Sequence, residues 1–240
     1  MARKSLDHRY FIRDGYESNA ARSADPSLPY WSDRRVEASA LFQYSTYKEA
    51  ASLMRRIASP RVLDLGCGTA RKAARLLIPN CGFYLGIDQP AAVEYCRANI
   101  TASNAEFQVG DLEAPGLSVA QPFDVIICAD VIEHLISPGR LLAFAVAALA
   151  PGGYLVVSTP ERDVLHGRNV LRPPNPDHVR EWNRAELRQL LTSFGLVIRT
   201  LRLAPQFRLS ASKIGVTLLR GQLRRPLGYW GCQVATCTKG

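Results

Sequence analysis

Val62-Leu63-Asp64-Leu65-Gly66-Cys67-Gly68-Thr69-Ala70 is an apolar run that bends at two glycines and continues into a helical pattern over 70–77. The glycines permit a tight turn and let a ligand approach the backbone closely. The helix start behind them offers free N–H groups. Asp88, twenty residues past Gly68, ends the next apolar run, Phe83 to Ile87. A carboxylate there can accept both hydroxyls of an adenosine ribose. The plainer alternative makes Asp64 and Asp88 turn or capping carboxylates. A dinucleotide fingerprint favours a third glycine where this chain has Arg71, which counts against NAD.

Outward from this stretch, apolar strands alternate with helical patterns. Strands are expected at 61–65, 83–87, 106–109, 123–129, 154–158, 196–203 and 229–238, and helices at 34–57, 70–77, from Pro90, 138–149 and 184–194. Pro151-Gly152-Gly153 reads as a helix stop. Continuously apolar strands separated by helices define an α/β fold whose mostly parallel sheet is covered on both faces. The expected organisation is an N-terminal arm and helix, 1–57, over a catalytic domain, 58–240, with a basic insertion at 204–228.

The chain has 240 residues and a net charge of +9. The excess lies in residues 187–240, which hold nine Lys/Arg and no acid. Such a segment suits an anionic partner, either nucleic acid or a membrane surface touched peripherally, or it is a plain solvated face. Between 214 and 227, apolar and arginine residues interleave as in a basic amphipathic helix, which can also pack on its own domain. No apolar run is long enough to span a bilayer, and residues 1–14 lack the apolar centre of a signal peptide. The six cysteines are scattered without C-x-x-C spacing, as reduced core thiols would be. A cytoplasmic protein is expected.

Five motifs in order resemble the class I S-adenosylmethionine (SAM)-dependent methyltransferases: D-L-G-C-G-T at 64–69, G-I-D at 86–88, G-D-L at 110–112, F-D-V-I at 123–126 and L-x-P-G-G-Y-L at 149–155. The resemblance implies a Rossmann-like sheet of seven strands, the last antiparallel. It implies SAM as cofactor. Gly66, Cys67 and Gly68 would line it with backbone, and Asp64 would orient the loop. Asp88 would hold the ribose, with Gln89 beside the adenine. Asp111 and Leu112 would bond the adenine, and Ala129 would lie by the methionine part.

After the fourth strand stands Asp130-Val131-Ile132-Glu133-His134, and further on His178-Val179-Arg180-Glu181-Trp182. If a helical turn begins at Asp130, then Asp130, Glu133 and His134 share a face. With His178 they could bind Mg2+ or another divalent metal. The alternative gives His134 the role of general base without a metal. These segments resemble ubiquinone-type O-methyltransferases and the enzymes that 2′-O-methylate RNA ends, and the wider pattern resembles methyltransferases found with glycan-building enzymes. The resemblance implies catalytic roles for Glu133, His134 and His178. The expected acceptor is a hydroxyl on a small molecule, sugar or glycan. RNA 2′-O-methylation, an NAD-dependent oxidoreductase and a non-catalytic SAM-binding module remain open. The loop 160–176, with three arginines and four prolines, reads as a lid. Tyr10, Phe11, Tyr16, Tyr30 and Trp31 either wall the acceptor site or anchor the arm to the core.

Overall fold

A computed structural model describes residues 10–20, 36–37, 39–114, 117–208 and 230–240. Helix α1 (Tyr44–Met54) precedes β1 (Arg61–Leu65), α2 (Arg71–Leu76), β2 (Phe83–Asp88), α3 (Pro90–Asn99), β3 (Ala105–Val109) and β4 (Phe123–Ala129). There follow α4 (Pro138–Ala148), β5 (Leu149–Pro160), the short α5 (Arg162–His166), α6 (Arg184–Ser193), β6 (Leu196–Ala204) and β7 (Cys232–Lys239). The sheet order is β3-β2-β1-β4-β5-β7-β6. Strands β1 to β5 pair in parallel, while β7 runs antiparallel to both β5 and β6. This is the seven-stranded Rossmann-like arrangement, with its antiparallel last strand, that the motifs imply.

The central strands are buried from end to end because apolar side chains project from both faces. Val62, Leu63, Leu65, Val125, Ile126, Ile127, Val156 and Val157 are all inaccessible to solvent. One face packs on α1, α2 and α3 through Tyr47, Met54, Leu77 and Val93. The other packs on α4 and α6 through Leu141, Leu142, Leu187 and Leu190. Reversal of strand order between β1 and β4 leaves a crevice at their carboxyl ends, where open α/β sheets bind ligands.

Two local expectations change. The expected helix over 34–57 is interrupted by Gln43, whose φ is 54°, so α1 begins at Tyr44. Apolar spacing continues through such a break, which is why periodicity does not reveal it. The Pro151-Gly152-Gly153 stop lies inside β5, which starts directly after α4 at Leu149. Gly152 takes φ 74° there, beside a register shift between Phe123 and Val125, so the glycines serve a bulge. The basic amphipathic stretch at 214–227 lies outside the described residues.

Residues 10–20 are fastened to the segment between β5 and α6. Trp182 is wholly buried and its indole N–H donates to the Tyr10 carbonyl at 2.9 Å. Arg162, also wholly buried, makes a two-pronged pair with Glu186 at 2.8 and 3.0 Å and lies over the Tyr16 ring. The Arg13 backbone N–H reaches the same Glu186 carboxylate at 3.1 Å. Glu186 further closes a reciprocal capping box with Asn183 at the start of α6. Tyr10 and Tyr16 thus anchor this part of the arm to the core. Replacing Glu186 by Ala leaves the buried guanidinium with Asp163, at 3.0 Å, as its remaining carboxylate partner and two donors short of acceptors, so urea unfolding should show a loss of about 2–3 kcal/mol. A loss below ~1 kcal/mol would mean that Arg162 finds water instead.

Candidate active site

The glycine bend is stitched to the end of β2. The Gly66 and Cys67 N–H groups donate to the Ile87 carbonyl at 2.8 and 3.3 Å, and the Gly68 N–H donates to Asp88 Oδ2 at 2.7 Å. Gly66 has φ 78° and a Cβ there would overlap Val131, so glycine is required on both counts. Asp88 Oδ1 accepts the Gln89 N–H at 2.7 Å. Burial raises the Asp88 pKa, partly offset by the two backbone bonds. A carboxylate has about four lone-pair sites, so Asp88 retains acceptor capacity. Gln89 is exposed at the start of α3. Asp111 is exposed and caps its own turn by accepting the Glu113 N–H, and Leu112 is half-buried beside it. Ala129 closes β4 at the crevice floor.

Asp64 is completely buried beneath the bend. Its Oδ2 accepts from the Tyr47 and Tyr84 hydroxyls at 2.9 and 2.8 Å, while Oδ1 has no partner. Burial raises its pKa to about 6, against the lowering effect of the two tyrosines. The cation nearest in its field is Lys72 on α2. Neither tyrosine is conspicuous in the sequence, since each reads as an apolar position of its element.

At the carboxyl end of β4 the chain kinks. Asp130 adopts φ 54°, and a single 3-10 turn over Ile132–His134 follows. The expected helical face from Asp130 to His134 therefore does not form. The kink turns Asp130 toward β5, where its Oδ1 accepts from Ser158 at 2.7 Å. Glu133 points inward and is wholly buried, and its Oε2 accepts from Thr159 at 2.9 Å. Its Oε1 has no partner. Burial and the neighbouring Asp130 push the Glu133 carboxyl well above the carboxylate range. The Glu133 carbonyl in turn accepts from the Val179 and Arg180 N–H groups at 2.7 and 3.3 Å, which brings the distant His178 alongside.

His134 and His178 meet edge to face, ring centroids 4.8 Å apart. Glu133, His134 and His178 each offer one ligand atom, and these atoms lie within 4.8 Å of one another. Asp130 is not in that group. His134 Nδ1 lies 2.8 Å from the Asp177 carbonyl, which can only accept, so Nδ1 carries the proton and Nε2 the lone pair. His134 is exposed, yet desolvation against the neighbouring protein, then His178, lowers its pKa. His178 Nδ1 is 2.5 Å from Glu181 Oε1, and Glu181 Oε2 is 3.1 Å from His166 Nε2. Asn19 secures the loop from beneath: its amide reaches the carbonyls of Pro173, Asn175 and His178 at 3.2, 3.1 and 2.9 Å. Glu181, His166 and Asn19 carry no sequence signal of their own, beyond the spacing of Glu181 from His178.

A methyltransferase-domain family model matches residues 29–201, and the chain belongs to that family. A probable SAM-dependent methyltransferase of Mycolicibacterium smegmatis is 34% identical over 153 residues, covering 61% of this chain and 55% of the relative. A ubiquinone biosynthesis O-methyltransferase of Rhodopseudomonas palustris is 29% identical over 154 residues, 58% of each chain. This chain therefore spans little more than half the length of these relatives. The N-methyltransferase NodS of Bradyrhizobium japonicum, solved with S-adenosyl-L-homocysteine, matches with a TM-score of 0.58 and 18% identity over 98% of this chain and 96% of its own. At that identity the likeness shows the fold. Family membership sets aside the NAD-dependent oxidoreductase.

Because the Asp64 carboxyl has a raised pKa when folded, its protonated form favours the folded state below about pH 4, and that contribution disappears as pH rises through about 6. Wild-type stability relative to Asp64→Asn should thus fall by roughly 2 kcal/mol between pH 4.5 and 7.5. Urea midpoints measured on both proteins across that range give the comparison. A constant gap would mean that the carboxyl titrates normally.

Proposed function

We propose that this protein transfers the methyl group of SAM to a hydroxyl oxygen of a small molecule or of a sugar or glycan end, assisted by a divalent cation. The convergence of Glu133, His134 and His178 at the end of β4, beside Ala129, carries the reading. One carboxylate and two imidazoles suit a borderline cation, or Mn2+, better than Mg2+, which takes oxygen ligands. The unpartnered Oε1 of Glu133 fits this role, since a cation would offset the burial of that oxygen. A divalent ion held there lowers the pKa of a hydroxyl brought against it. Asp130 would join the set only by releasing Ser158.

On the cofactor side, Gly66, Cys67 and Gly68 present backbone to the ligand, Asp88 accepts from the ribose hydroxyls, and Asp111 and Leu112 face the adenine with Gln89 alongside. Asp64 fixes the bend from below. SAM supplies a methyl already activated on sulfur, so the chain's share is alignment and exclusion of water. Residues 10–20, tied to the loop carrying His178, would cover the acceptor. The relatives named as ubiquinone O-methyltransferases support a hydroxyl acceptor. An RNA acceptor draws on the basic segment near the C-terminus and on the resemblance at 130–134 and 178–182, and a peripheral membrane contact on the basic segment alone.

A second reading follows from the His134 tautomer. Without a cation, its free Nε2 takes the proton of the acceptor hydroxyl. Transfer of labelled methyl from SAM to catechol and sugar-diol acceptors separates the two. Exhaustive chelation should abolish transfer, Mg2+ or Mn2+ should restore it, and His178→Ala should lower it by about tenfold or more. Full turnover after chelation would remove the cation and leave His134 as the base. In the same protein, Asp88→Ala should weaken binding of S-adenosylhomocysteine by about tenfold. Unchanged affinity would contradict the ribose assignment.

A further inference from the structure

Lys72 has no role in the site described above, yet its ammonium is built into the cofactor end of it. The side chain leaves α2 one residue past Arg71 and turns toward residues 39–47. Its Nζ donates to the Ser39 carbonyl at 2.6 Å and to Gln43 Oε1 at 3.1 Å, and it lies 4.9 Å from the centre of the Tyr47 ring. Both oxygen partners are neutral. An ammonium has three donors, and the third finds no acceptor among the described residues. The carboxylates that act on it are Asp64 and Asp130, both around the cofactor crevice, and neither lies within bonding distance. Lys72 is half-buried, and desolvation lowers its pKa to about 8, so at neutral pH the group is a partly desolvated cation with no anion within bonding distance.

The same pocket holds the reciprocal feature. Asp64 Oδ1 is buried without a partner, and Tyr47 links the two, its hydroxyl on Asp64 and its ring under Lys72. A partly desolvated cation and an under-satisfied carboxylate on either side of one tyrosine fit a zwitterion. Even a half-buried charge gains from a counter-charge in a partly desolvated crevice, and an incoming carboxylate supplies one.

We propose that Lys72 binds the α-carboxylate of the methyl donor's amino-acid end, so that affinity for the donor depends on its carboxylate through this residue. The inference rests on the SAM-binding reading above and assigns a contact that the glycine-bend motif does not include. The alternative is mechanical: Lys72 only ties the segment at 39–43 to α2.

Two ligands separate these ideas. S-Adenosylhomocysteine carries the amino acid, and 5′-methylthioadenosine shares its nucleoside and sulfur but lacks it. In calorimetry, Lys72→Met should weaken S-adenosylhomocysteine by about tenfold or more and leave 5′-methylthioadenosine within about twofold. Lys72→Arg should recover part of the loss. Equal weakening of both ligands, or of neither, overturns the proposal. Should Lys72→Met not fold, wild-type protein decides: decarboxylated S-adenosylhomocysteine should bind about tenfold more weakly than the parent, and equal affinity refutes the contact. If wild type binds neither S-adenosylhomocysteine nor 5′-methylthioadenosine, the cofactor reading itself fails and takes this one with it.

Discussion

The bond from the Gly68 N–H to Asp88 joins the two halves of the crevice. Two adjacent parallel strands end at the same level, and neither end is constrained by the sheet itself. Donation from Gly66 and Cys67 to Ile87, followed by Gly68 to Asp88, locks the bend after β1 onto the end of β2. Everything downstream inherits that geometry. The bend sets the height at which α2 starts, and α2 in turn sets where Lys72 can reach. The carboxylate that closes the bend is also the one expected to meet the ribose, so the bend itself orients that carboxylate. Preorganisation of this kind spares the ligand the work of ordering the loop.

The cluster around Glu133 is organised differently. Its residues come from the end of β4 and from a segment more than forty positions later, and backbone bonds to the Glu133 carbonyl bring them together. That segment has little regular structure between α5 and α6. It is held instead by residues 10–20 through Trp182, Asn19 and the Arg162–Glu186 pair. Buried polar networks are costly when incomplete. Here Glu186 serves Arg162, Asn183 and the Arg13 backbone together, so the network holds several segments in one register.

Most of the sheet was legible because parallel strands buried on both faces must be apolar throughout. The residues 123–129 could hardly read otherwise. The glycine bend and Asp88 were legible because their spacing repeats a backbone requirement. The kink at Asp130 was not, since one residue with positive φ leaves no periodic trace, and it separates Asp130 from Glu133 and His134. Nor was the pairing of Asp64 with Tyr47 and Tyr84. In sequence those tyrosines look like core aromatics, and only packing shows that their hydroxyls converge on one carboxylate. His178 was legible as a candidate through resemblance, with Glu181 three residues on in the same segment, while Asn19, which also holds the loop, comes from remote backbone that no local pattern marks.

The position of β7 affects how the chain assembles. It is inserted between β5 and β6 although it follows both in sequence. Until residues 232–239 arrive, β6 has no neighbour to pair with and β5 presents a long open edge. Such an edge is a template for unwanted association, and closing it requires contacts across some eighty positions, the slow kind. A ribosome that stalled before residue 232 would release a chain with its first five strands formed and two sticky borders, a natural substrate for chaperones.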